Sequence, residues 1–182
     1  MMDDIQAWLE RMATEPLPAG ISAAALAASM GAALVSKVAR ISGEARRLAP
    51  GLAQPLADLA TEAQARCQEL SRLAAEDEVA YRQVMAARDL PFDSSQWHRA
   101  WLAATRSPLA TAEACHALLA GLDSLEGAIR DRVAVDLEIG RRLLEAGLEA
   151  GLRVTEENLQ TWGAGPEAAP LRARLDLLRS EE

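Results

Sequence analysis

Few side chains in this chain combine the type and the spacing that chemistry needs. The run Pro18-Ala19-Gly20-Ile21-Ser22 stands at the mouth of a helical stretch. There Gly20, Ser22 and free backbone N–H groups sit at a positive helix end, which can hold an anion or a carbonyl. Taken alone this is an ordinary helix start. Asp77 lies in the acidic run Glu76-Asp77-Glu78, and such a run reads as a solvated face. Asp136 stands between Val135 and Leu137. Apolar neighbours of that kind can desolvate a carboxylate and raise its pKa; the competing reading pairs it with Arg132, four residues back, or with Arg130. His98 and His116 have no cysteine or carboxylate pattern around them and predict no metal site. Cys115 and His116 diverge as helix neighbours and form no dyad. Trp97 and Trp101, four apart, read as packing, while Arg141 and Arg142 read as solvated cations able to meet a ligand carboxylate.

These residues depend on helices for their placement. Asp3 to Ala13 carries Ile5, Trp8, Leu9 and Met12 at helical spacing. Pro16 and Pro18 end it, and a second helix runs from about Ser22, as cap or first-turn hydroxyl, to about Leu48. A third is predicted from Pro55 to Arg88, with an apolar stripe through Leu56, Leu59, Ala63, Leu70, Leu73 and Val84. Asp93 or Ser94 caps a fourth, from Gln96 to Leu125, which Pro108 must kink or split. A fifth covers Asp131 to Trp162, the stretch WGAGPEAAP stops it, and Leu171 to Leu178 forms a short last helix before a frayed Glu181-Glu182. No alternating run is long enough for a strand. The reading is all-α: one domain, 1–182, built as an up-and-down bundle of about five or six helices.

Half of the 182 residues are apolar but only 3% are aromatic, so the core must come from Ala, Leu and Val. Small side chains fill space only where backbones come close. More than half of the second helix is Ala, Gly and Ser, and Gly140, Gly147 and Gly151 fall on one face of the fifth, which predicts tight helix contacts there. A net charge of −8 argues against a nucleic-acid partner. The uncharged run Pro16 to Ser36 is long enough for a membrane span, but it starts on two prolines and is rich in Ala and Ser, so no membrane partner is predicted. Cys67 and Cys115 fit neither a disulfide framework nor a metal site, and the acidic start MMDDIQAWLER is unlike a signal peptide. A cytoplasmic location is the expectation.

Four stretches, in order, carry a resemblance: PLPAGISAAALAASMGAALVSKVARIS, EDEVAYRQVMAARDLP, RSPLATAEACHALL and AVDLEIGRRLLEAGLEAGLRVTEENL. Together, over about residues 15 to 160, the chain resembles the cyclodeaminase/cyclohydrolase family of formiminotetrahydrofolate cyclodeaminase and methenyltetrahydrofolate cyclohydrolase, as a divergent member. The resemblance implies an all-helical homodimer with a folate derivative as substrate near the subunit interface and no cofactor beyond that tetrahydrofolate. It implies Asp136 as the catalytic acid/base and Gly20, Ser22 and Asp77 as substrate-binding residues, with Asn158 and Leu159 matching the family's Asn-Leu close.

The chain departs from the family pattern at particular places. Ala19-Gly20-Ile21 stands where the family has three glycines, and Val135 where a Ser precedes the Asp. Glu138 replaces a Gly, Ile129-Arg130 a Gly-Asn, and Phe92 a Lys. Two functions follow: a folate cyclohydrolase or cyclodeaminase, or a catalytically degenerate dimer of the same fold that binds a small molecule or a protein. The discriminating feature is whether Ile21 and Arg130 fill the pocket.

Overall fold

The computed structural model describes residues 2–45, 48–92, 94–162 and 167–180. Asp93, the stretch 163–166, Glu181 and Glu182 lie outside them. Among the described residues there are six α-helices and no strand: α1 Met2–Thr14, α2 Gly20–Gly43, α3 Ala53–Ala87, α4 Ser95–Asp123, α5 Ala134–Trp162 and α6 Ala168–Ser180. Two 3₁₀ turns, Glu126–Ala128 and Asp131–Val133, lead into α5. The bundle expected from the periodicity is present. Helix α2 ends earlier than expected, at Gly43, a poor helix former; the N–H of Glu44 then closes back on the carbonyls of Arg40 and Ser42. Ser94 is the α4 cap, its hydroxyl accepting from the N–H of Trp97 at 3.2 Å.

Helices α2 to α5 form the bundle, each packed on its neighbours in sequence, with α2 and α5 closing the ring. Cross-helix contacts run antiparallel throughout. Ser22 meets Asp77 while Ser36 meets the carbonyl of Ala60. On the other side of α2, Lys37 meets Asp136 and Ala28 lies against Gly147. This is up-and-down topology, and α6 lies across α4 and α5.

The small residues set how closely the helices approach. A Cβ built on Gly147 would stand 2.7 Å from the Ala28 Cβ and 2.9 Å from the Cys115 sulfur. One on Gly151 would stand 2.6 Å from the Pro108 carbonyl oxygen. Helix α2 is long and apolar enough to cross a membrane; here Ala25, Ala28, Ala32, Val35, Val38 and Ala39 are packed inside the bundle. It is not surrounded within one chain, because Met30 and Ala33 remain exposed.

Pro108 does not split α4, which continues through it. Proline lacks the N–H that would bond the carbonyl four residues back, at Ala104. That carbonyl instead accepts from the Asn158 side-chain Nδ2 at 2.8 Å, reaching over from α5. A donor supplied by the next helix lets the proline stay inside the fourth.

Candidate functional site

The N-terminus of α2 has no side-chain cap of its own: Ala19 holds the cap position and cannot accept a hydrogen bond through its side chain. The missing acceptor comes from α3. Ser22 Oγ donates to Asp77 Oδ2 at 2.8 Å, and the Ser22 backbone N–H also bonds that carboxylate. Two residues 55 apart in sequence thus join at one helix end. Glu76-Asp77-Glu78 is therefore not a uniform solvated face. Successive residues point about 100° apart around a helix: Glu76 is exposed, Asp77 is 9% exposed, and Glu78 turns to Arg11 of α1, at 3.1 Å.

Asp77 also lines a cavity of about 230 Å³. Its walls include Gly20 and Ile21 from α2, Tyr81 from α3, Trp101 from α4 and Asn158 from α5. Burial pushes the Asp77 carboxyl above its ordinary pKa. The Ser22 hydroxyl and N–H pull it down without cancelling the rise, and nearby Glu78 adds to it. The result is a carboxyl inclined to hold its proton, at a positive helix end, beside a pocket with an aromatic wall. A carboxylate offers about four acceptor sites, so the two bonds from Ser22 leave capacity for a ligand. That combination can take a proton from water and return it to a departing nitrogen.

Of the four site residues named from the sequence, the structure brings together Gly20, Ser22 and Asp77. It does not bring Asp136 to them. Asp136 is in the first turn of α5, whereas the α5 residues at the cavity are Val154 and Asn158. Eighteen residues separate Asp136 from Val154, about 27 Å along the helix. Its partner is neither Arg132 nor Arg130 but Lys37, at 2.6 Å, with the two side chains 35% and 53% exposed.

Ile21 is buried and forms part of the cavity wall. Arg130 lines a separate hollow with Ser42, Leu52 and Gly127, and its backbone N–H donates to Ser42 Oγ at 3.2 Å. Only one of the two departures therefore bears on the pocket. Trp101, read from sequence as packing, both contacts Trp97 and walls the cavity. Tyr81 was missed altogether; its place one turn after Asp77 on the same side of α3 was the available signal. Arg141 and Arg142 pair with Asp123 and Glu138, and both cysteines are free thiols. No group of three or more metal-ligating side chains occurs among the described residues.

Residues 4–173 match the sequence model of a family described as formiminotransferase-cyclodeaminase. No curated protein matches the chain in sequence. Among solved structures, the fold is similar to that of the crystal structure of formiminotetrahydrofolate cyclodeaminase from Thermotoga maritima. The TM-score is 0.83 at 17% identity, over 92% of this chain and 83% of that one.

Proposed function

The chain belongs to the formiminotransferase-cyclodeaminase family, and on that premise we propose that it is a folate one-carbon enzyme, a cyclohydrolase or cyclodeaminase, working at the cavity beside the α2 N-terminus. The observation that carries this reading is Asp77: a buried carboxyl, tied to Ser22 and facing a pocket. In this scheme the acid/base role implied for Asp136 passes to Asp77.

In hydrolysis, water adds to the amidinium-like carbon of a methenyl group and Asp77 takes a proton from it. The C–N bond of the tetrahedral adduct then breaks, and Asp77 returns the proton to the leaving ring nitrogen. In cyclodeamination, the folate's anilino nitrogen adds to the formimino carbon carried by the ring nitrogen and gives up its proton, and the bond from that carbon to the formimino nitrogen breaks as that nitrogen departs as ammonia with a proton from the carboxyl. Both reactions use one acid/base and one folate. A cavity of about 230 Å³ is small against the roughly 300–1,000 Å³ of drug-sized ligand sites. It suits the reacting end of the folate, with the remainder outside.

Ile21 in the wall supports a second reading, a family-fold module that binds without turnover. One experiment separates the two. The ultraviolet absorbance of 5,10-methenyltetrahydrofolate is followed with the wild type, Asp77→Asn and Asp136→Asn, and ammonia release from formiminotetrahydrofolate is measured alongside. The enzyme reading requires turnover by wild type and Asp136→Asn and its loss in Asp77→Asn. Binding without turnover by the wild type selects the module. Loss in Asp136→Asn with Asp77→Asn active returns the role to Asp136.

A further inference from the structure

Asp77 has a second carboxyl beside it. Glu78 follows it on α3, about 100° around the helix, and the Glu78 side chain is only 14% exposed. A negative charge so placed opposes ionisation of Asp77, and Glu78 is one of the causes of its raised carboxyl. Two guanidinium groups hold that charge. Arg82, one turn further on, lies 3.0 Å from Glu78 Oε2, and Arg11 of α1 lies 3.1 Å from the same oxygen. The pair with Arg82 is local to the helix. Arg11 reaches Glu78 from 67 residues away.

Helix α1 is built to make that contact. Trp8, Arg11 and Met12 share one face and are half-buried, while the other described side chains of α1 are exposed. Leu17 and Pro18, both buried, then lead into Gly20 and Ile21 at the cavity. Consecutive residues of α3 thus tie down both ends of one N-terminal passage: Glu78 holds α1 through Arg11, and Asp77 holds α2 through Ser22. Among the described residues no further charge faces Asp77 across the cavity. From α2 it meets Ser22, from α4 Trp101 and Ala104, and from α5 Val154 and Asn158; Tyr81 of α3 is the other titratable wall residue. Glu76 is exposed and paired with Arg72, and Glu15 lies 3.7 Å from Arg11.

We infer that Arg11 is a positioning residue of the candidate site: it pins Glu78 towards α1 and offsets its charge, and so keeps the ionised form of Asp77 within reach. The inference rests on the reading of Asp77 as the acid/base. Without Arg11, Glu78 keeps one cation instead of two, and Asp77 gives up its proton less readily. The Arg11–Glu78 pair is partly exposed and outside the four-helix core, so its loss leaves the bundle folded.

The test titrates the Asp77 carboxyl directly, by carbon-13 resonance of the full chain labelled at aspartate, the signal being identified by its loss in Asp77→Asn. The midpoint should rise by roughly half a pH unit or more in Arg11→Ala and stay near the wild type in Arg11→Lys. It should fall in Glu78→Gln, and Arg11→Ala combined with Glu78→Gln should match Glu78→Gln alone. The pH limb of kcat/KM on 5,10-methenyltetrahydrofolate should move with the midpoint. Midpoints that move this way in a chain without turnover sustain the role of Arg11 and sink the folate reading. An unchanged midpoint in Arg11→Ala overturns the inference. So does an equal rise when Glu78 is already Gln, and so does a pH limb that stays in place while the midpoint moves.

Discussion

Asn158 Nδ2 donates to the carbonyl oxygen of Ala104 at 2.8 Å, and Ala104 is the residue four before Pro108. One helix thus repairs the backbone of another at the edge of the candidate site, where Asn158 and Ala104 are both wall residues. With its nitrogen so committed, the amide oxygen of Asn158 is left as the acceptor for a bound molecule.

Removing Asn158 should therefore cost stability only while Pro108 is present. Asn158→Ala leaves a half-buried carbonyl without a donor, a loss of about 1–3 kcal/mol. In a Pro108→Ala background the helix regains its own N–H at that position, and the same substitution should cost less. Denaturant unfolding of the four proteins gives the coupling. Equal costs in both backgrounds would show that the amide acts elsewhere.

The raised pKa of Asp77 sets a pH dependence of stability. A carboxyl that binds its proton more tightly folded than unfolded contributes stability fully present below its unfolded pKa. That contribution is lost as pH rises through the folded value, because ionisation in the buried site then opposes folding. Asp77→Asn keeps an acceptor for Ser22 and cannot ionise. Its melting temperature should gain on the wild type as pH rises from the acid range towards neutral. A difference that runs the other way would mean that the bonds from Ser22 outweigh burial.

Gly151→Ala places a methyl 2.6 Å from the Pro108 carbonyl, a backbone atom that cannot turn aside. Overpacking of this kind costs typically about 1–3 kcal/mol. Gly20→Ala meets nothing within 4 Å, so its effect should stay within about 0.5 kcal/mol. Thermal unfolding of the two variants checks the contrast.

Burial pushes the Cys115 thiol up to about 12, while Cys67 is only half-buried and raised less strongly. A thiol reagent near pH 8 should modify Cys67 first and reach Cys115 only on unfolding, since the thiolate is the reactive form. Mass spectrometry after a short exposure reads the order directly. Equal labelling of both would show that the bundle opens around Cys115.

The sequence by itself determined the helices, because they follow from local spacing. The stripe through Leu56, Leu59, Ala63, Leu70 and Leu73 and the prolines at 16 and 18 mark α3 and the start of α2 without reference to any other part of the chain. It also determined where backbones had to come close, since Gly147 and Gly151 share a face and have no side chain to spend there. Ordered stretches such as PLPAGIS and EDEVAYRQVM carried the family. Only the tertiary structure decided which carboxyl faces a pocket. Asp77 and Asp136 look alike in their own helices, and the difference lies in how α2, α3 and α5 are rotated and slid against one another. The Ser22–Asp77 and Ala104–Asn158 bonds join residues 55 and 54 apart. Helical period places a residue on a face of its own helix; the partner across the gap is set by packing, and packing is a property of the whole bundle.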